Sequence, residues 1–218
     1  MKVSKTKDTR NANMSDESNQ FCEEFMKQFQ NLIDYLIKER FWIENQADKL
    51  DKIFEMIEKG ESIHLYGKGR SGSAAVSLAL RLKHFGYNVW FIGDVIKERI
   101  KPNDVVMLFS GSGETSELVD IAKKAKAINA KVIAITSYKD SSLAKNSDLV
   151  FILPGGLEKK KGWDYLEAQL NRKSDFYGGG QFELYAYLFQ EALLNSIGKF
   201  KKIPHSIVAK KHERDEAL

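Results

Sequence analysis

The sequence predicts a doubly wound α/β fold: a three-layer α/β/α sandwich around a five-stranded parallel sheet, flavodoxin-like in its winding, with extra helices ahead of it. Three observations predict it. From Gly60 onward short apolar runs alternate with segments of helical periodicity, the runs are continuous rather than alternating, and two of them end in small-residue turns that open into helices. Strands that read as unbroken apolar runs are buried on both faces, and strands separated by helices pair in parallel. Helices then cover both sides of the sheet.

The elements come in this order. Phe21, Phe25, Phe29, Leu32, Ile33 and Leu36 recur at helical spacing, and Leu50, Ile53, Phe54 and Ile57 form a second series that Lys59-Gly60 stops. Two amphipathic helices are expected there, their aromatic stripe serving core packing or a subunit contact. Residues 1–19 are polar and aperiodic and are expected to form a flexible tail, leaving 20–218 as one domain with an N-terminal helical extension. The runs at 62–66, 89–92, 105–109, 132–136 and 149–153 predict the strands, with helices over 71–85 and 115–127. The charged, aromatic stretch 158–176 carries no strand signal and reads as an excursion from the core, with a short helix expected around 164–170. Gly178-Gly179-Gly180 then precede a long apolar-periodic helix from Phe182 to about Ile197.

Composition excludes several classes. The 218 residues are 43% hydrophobic, enough for one substantial core, and 34 basic against 30 acidic residues leave only +4 of net charge. The basic stretches MKVSKTKDTR and Glu158-Lys159-Lys160-Lys161 lack interleaved aromatics and read as solvated segments, so no nucleic-acid partner is expected. Cys22 is the only cysteine, which excludes an intrachain disulfide and a Cys-based metal cluster; no metal and no cofactor are expected. No apolar run has the length of a signal-peptide core or a membrane span, so a soluble cytoplasmic protein with no membrane partner is expected.

Two turns invite a phosphate. Ser110-Gly111-Ser112-Gly113-Glu114-Thr115 follows an apolar run and opens a helix near Glu114. Glycines let backbone approach a ligand, a helix start directs free N–H groups at the turn, and the hydroxyls of Ser110, Ser112 and Thr115 add neutral donors. The alternative is that these hydroxyls cap the helix, with Ser112 or Gly113 as N-cap, though capping needs only one. The other turn, Gly67-Lys68-Gly69-Arg70-Ser71-Gly72, satisfies the G-x-G-x-x-G spacing, and Asp94 lies where a ribose-binding acid belongs. A dinucleotide reading leaves the serine-rich turn without a role and places Lys68 and Arg70 in a loop that works through bare backbone. Two phosphate-friendly turns on neighbouring strands fit a small phosphorylated ligand.

GKGRSG and FSGSGET, spaced across a βαβ unit, resemble the sugar isomerase (SIS) domain of phosphosugar isomerases and phosphosugar-binding regulators. RLKHFGYNVWFIGD resembles the segment after the first turn in the 6-phospho-3-hexuloisomerase branch, and SYKDSSLAKNSDLVFILPG resembles its later strand region. The likeness runs from about Ile53 to the C-terminus. It implies conversion of D-arabino-3-hexulose 6-phosphate to fructose 6-phosphate without a cofactor, in a homodimer or homotetramer with pockets near subunit boundaries. It implies that Ser71, Ser110, Ser112 and Thr115 line the sugar-phosphate pocket; Arg70, whose guanidinium can pair with a phosphate or a sugar hydroxyl, and Gly69, Gly111 and Gly113, which admit a ligand to the backbone, complete the expected substrate-binding set. Moving a carbonyl by one carbon needs a base, a stabilised enediolate and return of the proton to the neighbouring carbon.

Glu183, in Gly179-Gly180-Gln181-Phe182-Glu183, matches the G-T-x-F-E pattern whose Glu is the family's proposed base, with Gly180 in place of Thr. Read from the residues alone, a helix-start glutamate favoured by the macrodipole is the better reading, which the family match reverses. His212, in Lys211-His212-Glu213-Arg214-Asp215-Glu216, resembles the R-H-x-N-L-E ending, whose histidine is proposed to assist ring opening or proton shuttling at a neighbouring subunit's site. Arg214-Asp215 replace Asn-Leu there, and a solvated tail histidine is the other reading. His64, His84 and His205 read as structural. Rival functions are a non-catalytic phosphosugar sensor, an aldose–ketose isomerase of another sugar phosphate, and a nucleotide-binding oxidoreductase; no helix-turn-helix segment is evident upstream.

Overall fold

A computed structural model describes residues 5–155 and 180–216. Its sheet has five parallel strands in the order β2-β1-β3-β4-β5: β1 (Ile63–Gly67), β2 (Val89–Phe91), β3 (Val105–Phe109), β4 (Lys131–Thr136) and β5 (Leu149–Ile152). Every residue of β1 and of β3 is buried, which is why both read as continuous apolar runs. The strand order reverses between β1 and β3, whose last residues, Gly67 and Phe109, stand in register. Ligand crevices of open α/β sheets form at that point, beyond the carboxyl ends of the strands.

Helices α4 (Gly69–His84) and α5 (Ser116–Ala127) follow β1 and β3, and the short α6 (Ser142–Lys145), which no periodicity announces, joins β4 to β5. The last two helices are α7 (Gln181–Phe200) and α8 (His205–Glu216). One face of the sheet buries Tyr66, Val106, Leu108, Val132 and Ala134 against Leu118, Val119, Ala122 and Ala125 of α5. Successive strand residues point to opposite faces. Ile63, Leu65, Met107, Phe109, Ile133 and Ile135 therefore fill the other layer, all buried, and there Phe151 meets Phe189 of α7 at 5.0 Å between ring centroids. Burying each such large apolar side chain contributes about 1.5–3 kcal/mol. α7 turns Phe182, Tyr185, Ala186, Phe189, Leu193, Leu194 and Ile197 inward at helical spacing, as its sequence pattern predicts.

The edge strand β5 is covered by a side chain acting as backbone. Gln46 precedes α3 (Ala47–Lys59); its Nε2 donates to the Ile152 carbonyl at 2.9 Å, and the Ile152 N–H donates to its Oε1 at 2.9 Å. Lys49 donates to the Val150 carbonyl at 2.9 Å, so polar groups that would otherwise line an open edge are occupied. At the amino ends of the strands His64 lies 3.0 Å from Asp104 Oδ2, both 1% exposed, a packed histidine as the sequence predicts.

Residue contacts divide the chain into two units, Met1–Phe41 and Trp42–Leu218. The first is helix α1 (Lys5–Glu39), on which Phe21, Phe25, Met26 and Phe29 are exposed and the rings of Phe25 and Phe29 stack. The helical turn α2 (Phe41–Glu44) follows it. α1 starts at Lys5, inside the stretch whose composition reads as a tail: few apolar residues withhold a packing face, not helical backbone geometry. The 158–176 excursion, Gly178 and Gly179 lie outside the described residues.

Candidate functional site

The first turn owes its glycines to geometry. Gly69 has φ +56°, a left-handed conformation that favours glycine. A Cβ on Gly72 would stand 2.6 Å from the Gly67 carbonyl oxygen, so α4 starts in direct backbone contact with the strand it leaves. The G-x-G-x-x-G spacing is thus explained by helix-on-strand packing, before any ligand is invoked. α4 begins at Gly69, earlier than its apolar periodicity indicates, which places Arg70 and Ser71 on its first turn.

The second turn is knitted by its hydroxyls. Ser110 is buried; its Oγ accepts the Gly113 N–H at 3.1 Å and lies 3.2 Å from Thr115 Oγ1. Ser112 Oγ accepts the Glu114 N–H at 3.2 Å. Gly113 has φ +64° and a Cβ there would collide with Ser141, while its carbonyl accepts the Leu143 N–H at 2.9 Å. The loop after β4 therefore braces this turn. The N-cap of α5 is Thr115, not Ser112 or Gly113, and its side chain makes no cap bond. Ser110 and Ser112 bond within the turn, so the leading N–H groups of α5, which lack intrahelical acceptors, are left by these hydroxyls to a ligand or water.

The start of α7 joins the two turns. Gly180, its N-cap, has φ +119°, which accounts for a glycine where the family pattern carries threonine. Phe182 is buried, and its ring lies where a Cβ on Gly111 would meet it at 3.1 Å. Glu183 faces the first turn: Ser71 Oγ donates to its Oε1 at 3.2 Å, and Arg70 Nη2 stands 3.7 Å from its Oε2. Its side chain is 24% exposed, so the carboxylate borders the crevice without being sealed in the core.

A second carboxylate stands on the opposite flank. Lys68 Nζ lies 2.5 Å from Oε2 of Glu117, in the first turn of α5, and Tyr66 donates to its Oε1 at 2.9 Å. Hydrogen bonds from Lys68 and then Tyr66 hold the Glu117 carboxyl below the ordinary range. The reciprocal bond raises Lys68, while burial and then the Glu117 bond raise the Tyr66 hydroxyl. Each basic residue of the first turn thus pairs with a different glutamate, Lys68 with Glu117 and Arg70 with Glu183. Sequence reading missed Tyr66, Lys68 and Glu117; the available signal was a lysine in a turn that needs only backbone to bind phosphate.

His212 is not brought to this crevice. Its ring stands 5.5 Å from that of His84, the last residue of α4. With 16 residues in α4 and ~1.5 Å of rise per residue, about 24 Å separates the helix ends. Within one chain His212 and Glu183 lie toward opposite ends of α4. No helix among the described residues is long and apolar enough to cross a membrane, and no group of three or more His, Cys, Asp or Glu side chains among them is placed to hold a metal.

Comparison with known proteins identifies the family of the fold. The SIS domain model matches residues 56–171. The 3-hexulose-6-phosphate isomerase of Methanocaldococcus jannaschii is 31% identical over 178 residues, 81% of this chain and 90% of that protein. The Bacillus subtilis protein of the same name is 33% identical over 147 residues, 67% of this chain and 76% of that protein. A crystal structure of a Methanococcus jannaschii protein, from which a 3-hexulose-6-phosphate isomerase function was inferred, superposes with a TM-score of 0.65 at 28% identity, covering 86% of this chain and 96% of the other. The chain belongs to the SIS domain family and, within it, to the 6-phospho-3-hexuloisomerase branch.

Proposed function

We propose that the protein is a phosphosugar isomerase that converts D-arabino-3-hexulose 6-phosphate to fructose 6-phosphate. The observation that carries the proposal is Glu183, an acceptor-only carboxylate held by Ser71 and Arg70 where the two glycine-serine turns meet the start of α7. Relatives named for this activity at 31% and 33% identity support the choice of sugar. The phosphate sits at the second turn, on Ser110, Ser112, Thr115 and the leading N–H groups of α5, with Gly111 and Gly113 admitting it to the backbone. Gly69, Arg70 and Ser71 orient the sugar from the first turn.

The chemistry asks little more. Glu183 takes the proton from C2, which carries a hydroxyl beside the C3 carbonyl, and the electron pair forms the C2=C3 bond of an enediolate. The Arg70 guanidinium stabilises the developing oxyanion in this reading. Glu183 returns the proton to C3, the C2 oxygen loses its proton to become the carbonyl, and the C3 oxygen gains one. His212 acts, in this reading, from a neighbouring subunit of a homodimer or homotetramer. Apolar surface supports such an assembly: Phe200 is 75% exposed beside a groove lined by Leu50, Phe54, Leu188 and Leu193.

The test compares fructose 6-phosphate formation by the wild-type chain and Glu183→Gln, with sugar-phosphate binding followed in parallel. Turnover in the wild type that falls at least ~10²-fold in the variant while binding persists is the expected result. Binding without turnover in either protein would point instead to a sensor, or to a different sugar phosphate.

A further inference from the structure

The proposed phosphate site has a charge problem that the first turn solves. The site is built from neutral hydroxyls and the start of α5, whose partial positive charge is about half an elementary charge. Glu117 belongs to that same first turn of α5. Its carboxylate is half-exposed but held: Tyr66 and Lys68, on either side of the last β1 residue, bond it at 2.9 and 2.5 Å. An anionic ligand at Ser110, Ser112 and Thr115 therefore has a carboxylate as a near neighbour, fixed in place by the other turn.

We propose that Lys68 is a positioning residue for phosphate binding: by pairing with Glu117 it cancels the negative charge at the α5 entrance and ties the two ligand-binding turns together. The inference rests on the phosphosugar reading and adds a residue to it. As a surface ion pair, with side chains 59% and 45% exposed, it contributes little to stability. Its consequence is for an anion, because removing Lys68 leaves Glu117 facing a dianion. In a water-like dielectric, repulsion between a carboxylate and a dianion at the same helix start is worth about three- to tenfold in affinity. Lys97, anchored on the Ile92 carbonyl at 2.5 Å, adds a second, smaller positive influence on Glu117 and favours the lower part of that range.

The experiment measures fructose 6-phosphate binding and hexulose phosphate turnover for wild type, Lys68→Met, Lys68→Arg and the double variant Lys68→Met/Glu117→Gln. Lys68→Met is expected to weaken binding and raise KM about three- to tenfold with kcat changed less than about twofold, since the lost interaction acts on ground and transition states alike. Arginine at 68, or removal of the carboxylate in the double variant, is expected to return both to within about twofold of wild type, a rescue that a purely structural role would not produce. Unchanged binding in Lys68→Met, or a double variant as weak as the single, overturns the inference alone. A wild-type chain that neither binds nor converts sugar phosphates overturns the functional reading with it.

Discussion

Replacing Gly72 by alanine tests whether the first turn is set by packing. The added Cβ would stand 2.6 Å from the Gly67 carbonyl oxygen and 3.0 Å from its carbon. Carbon normally meets a carbonyl oxygen at about 3.3 Å or more, so the start of α4 must retreat from β1 by about 0.7 Å. The obstacle is backbone, and no rotamer relieves it. Two effects on stability oppose each other: alanine gains about 1 kcal/mol of helix propensity over glycine, and overpacking costs about 1–3 kcal/mol. Stability should fall by no more than about 2 kcal/mol, measured as a shift in the urea midpoint at constant slope. Activity should fall further. Arg70 and Ser71 travel with the helix, and the Ser71–Glu183 bond, already 3.2 Å, opens beyond hydrogen-bonding reach. A misplacement of about 1 Å costs up to ~10²-fold in rate, so a loss of at least tenfold in kcat is expected for Gly72→Ala. Wild-type kcat together with equal or greater stability would refute the reasoning, because helix propensity would then have prevailed and the close approach would not set the turn.

Two further predictions concern the frame around the site. Gln46→Ala removes a side chain that both donates to and accepts from Ile152, orphaning backbone groups at the sheet edge; a loss of about 1–3 kcal/mol in urea unfolding is expected, and an unshifted midpoint would mean water replaces the amide without cost. Burial, then the hydrogen bond to Glu58, holds the Tyr87 hydroxyl well above the ordinary tyrosine range, and Tyr66 is raised in the same direction. The unfolded chain loses these protons near pH ~10 while the folded chain keeps them, so this stabilisation is full below that pH and declines as pH rises through and above it. Tyr87→Phe should make the alkaline decline in melting temperature shallower, and an unchanged slope would exclude Tyr87 as its source.

Legibility in the sequence tracks the physical cause of each feature. β1 and β3 announced themselves because burial on both faces demands an apolar residue at every position, a condition written directly in the chain. The start of α7 was legible for the same reason, through the periodicity of Phe182, Tyr185, Phe189 and Leu193. Partnerships across the crevice were not. That Lys68 takes Glu117 and Arg70 takes Glu183 depends on where two helices begin to within a residue, and helix starts are the part of a pattern that periodicity defines least. The N-cap at Thr115 instead of Ser112 is the same difficulty within one turn.

His212 depends on a longer chain of causes. Its place is decided by α8 docking beside the far end of α4, where its ring meets His84, and no local pattern in the last residues encodes that contact. The consequence is sharper than any motif provides. Arg70 and Ser71 hold Glu183 near the beginning of α4, His212 meets His84 at its end, and the helix from Ser71 to His84 is about 20 Å of stiff backbone that neither side chain can span. A proton relay using both residues must therefore draw them from two chains. Under the proposed function, a chain held monomeric would keep Glu183 and both turns yet lack a partner's His212 at the site, so any dependence of turnover on His212 should vanish on dilution while Glu183 dependence remains.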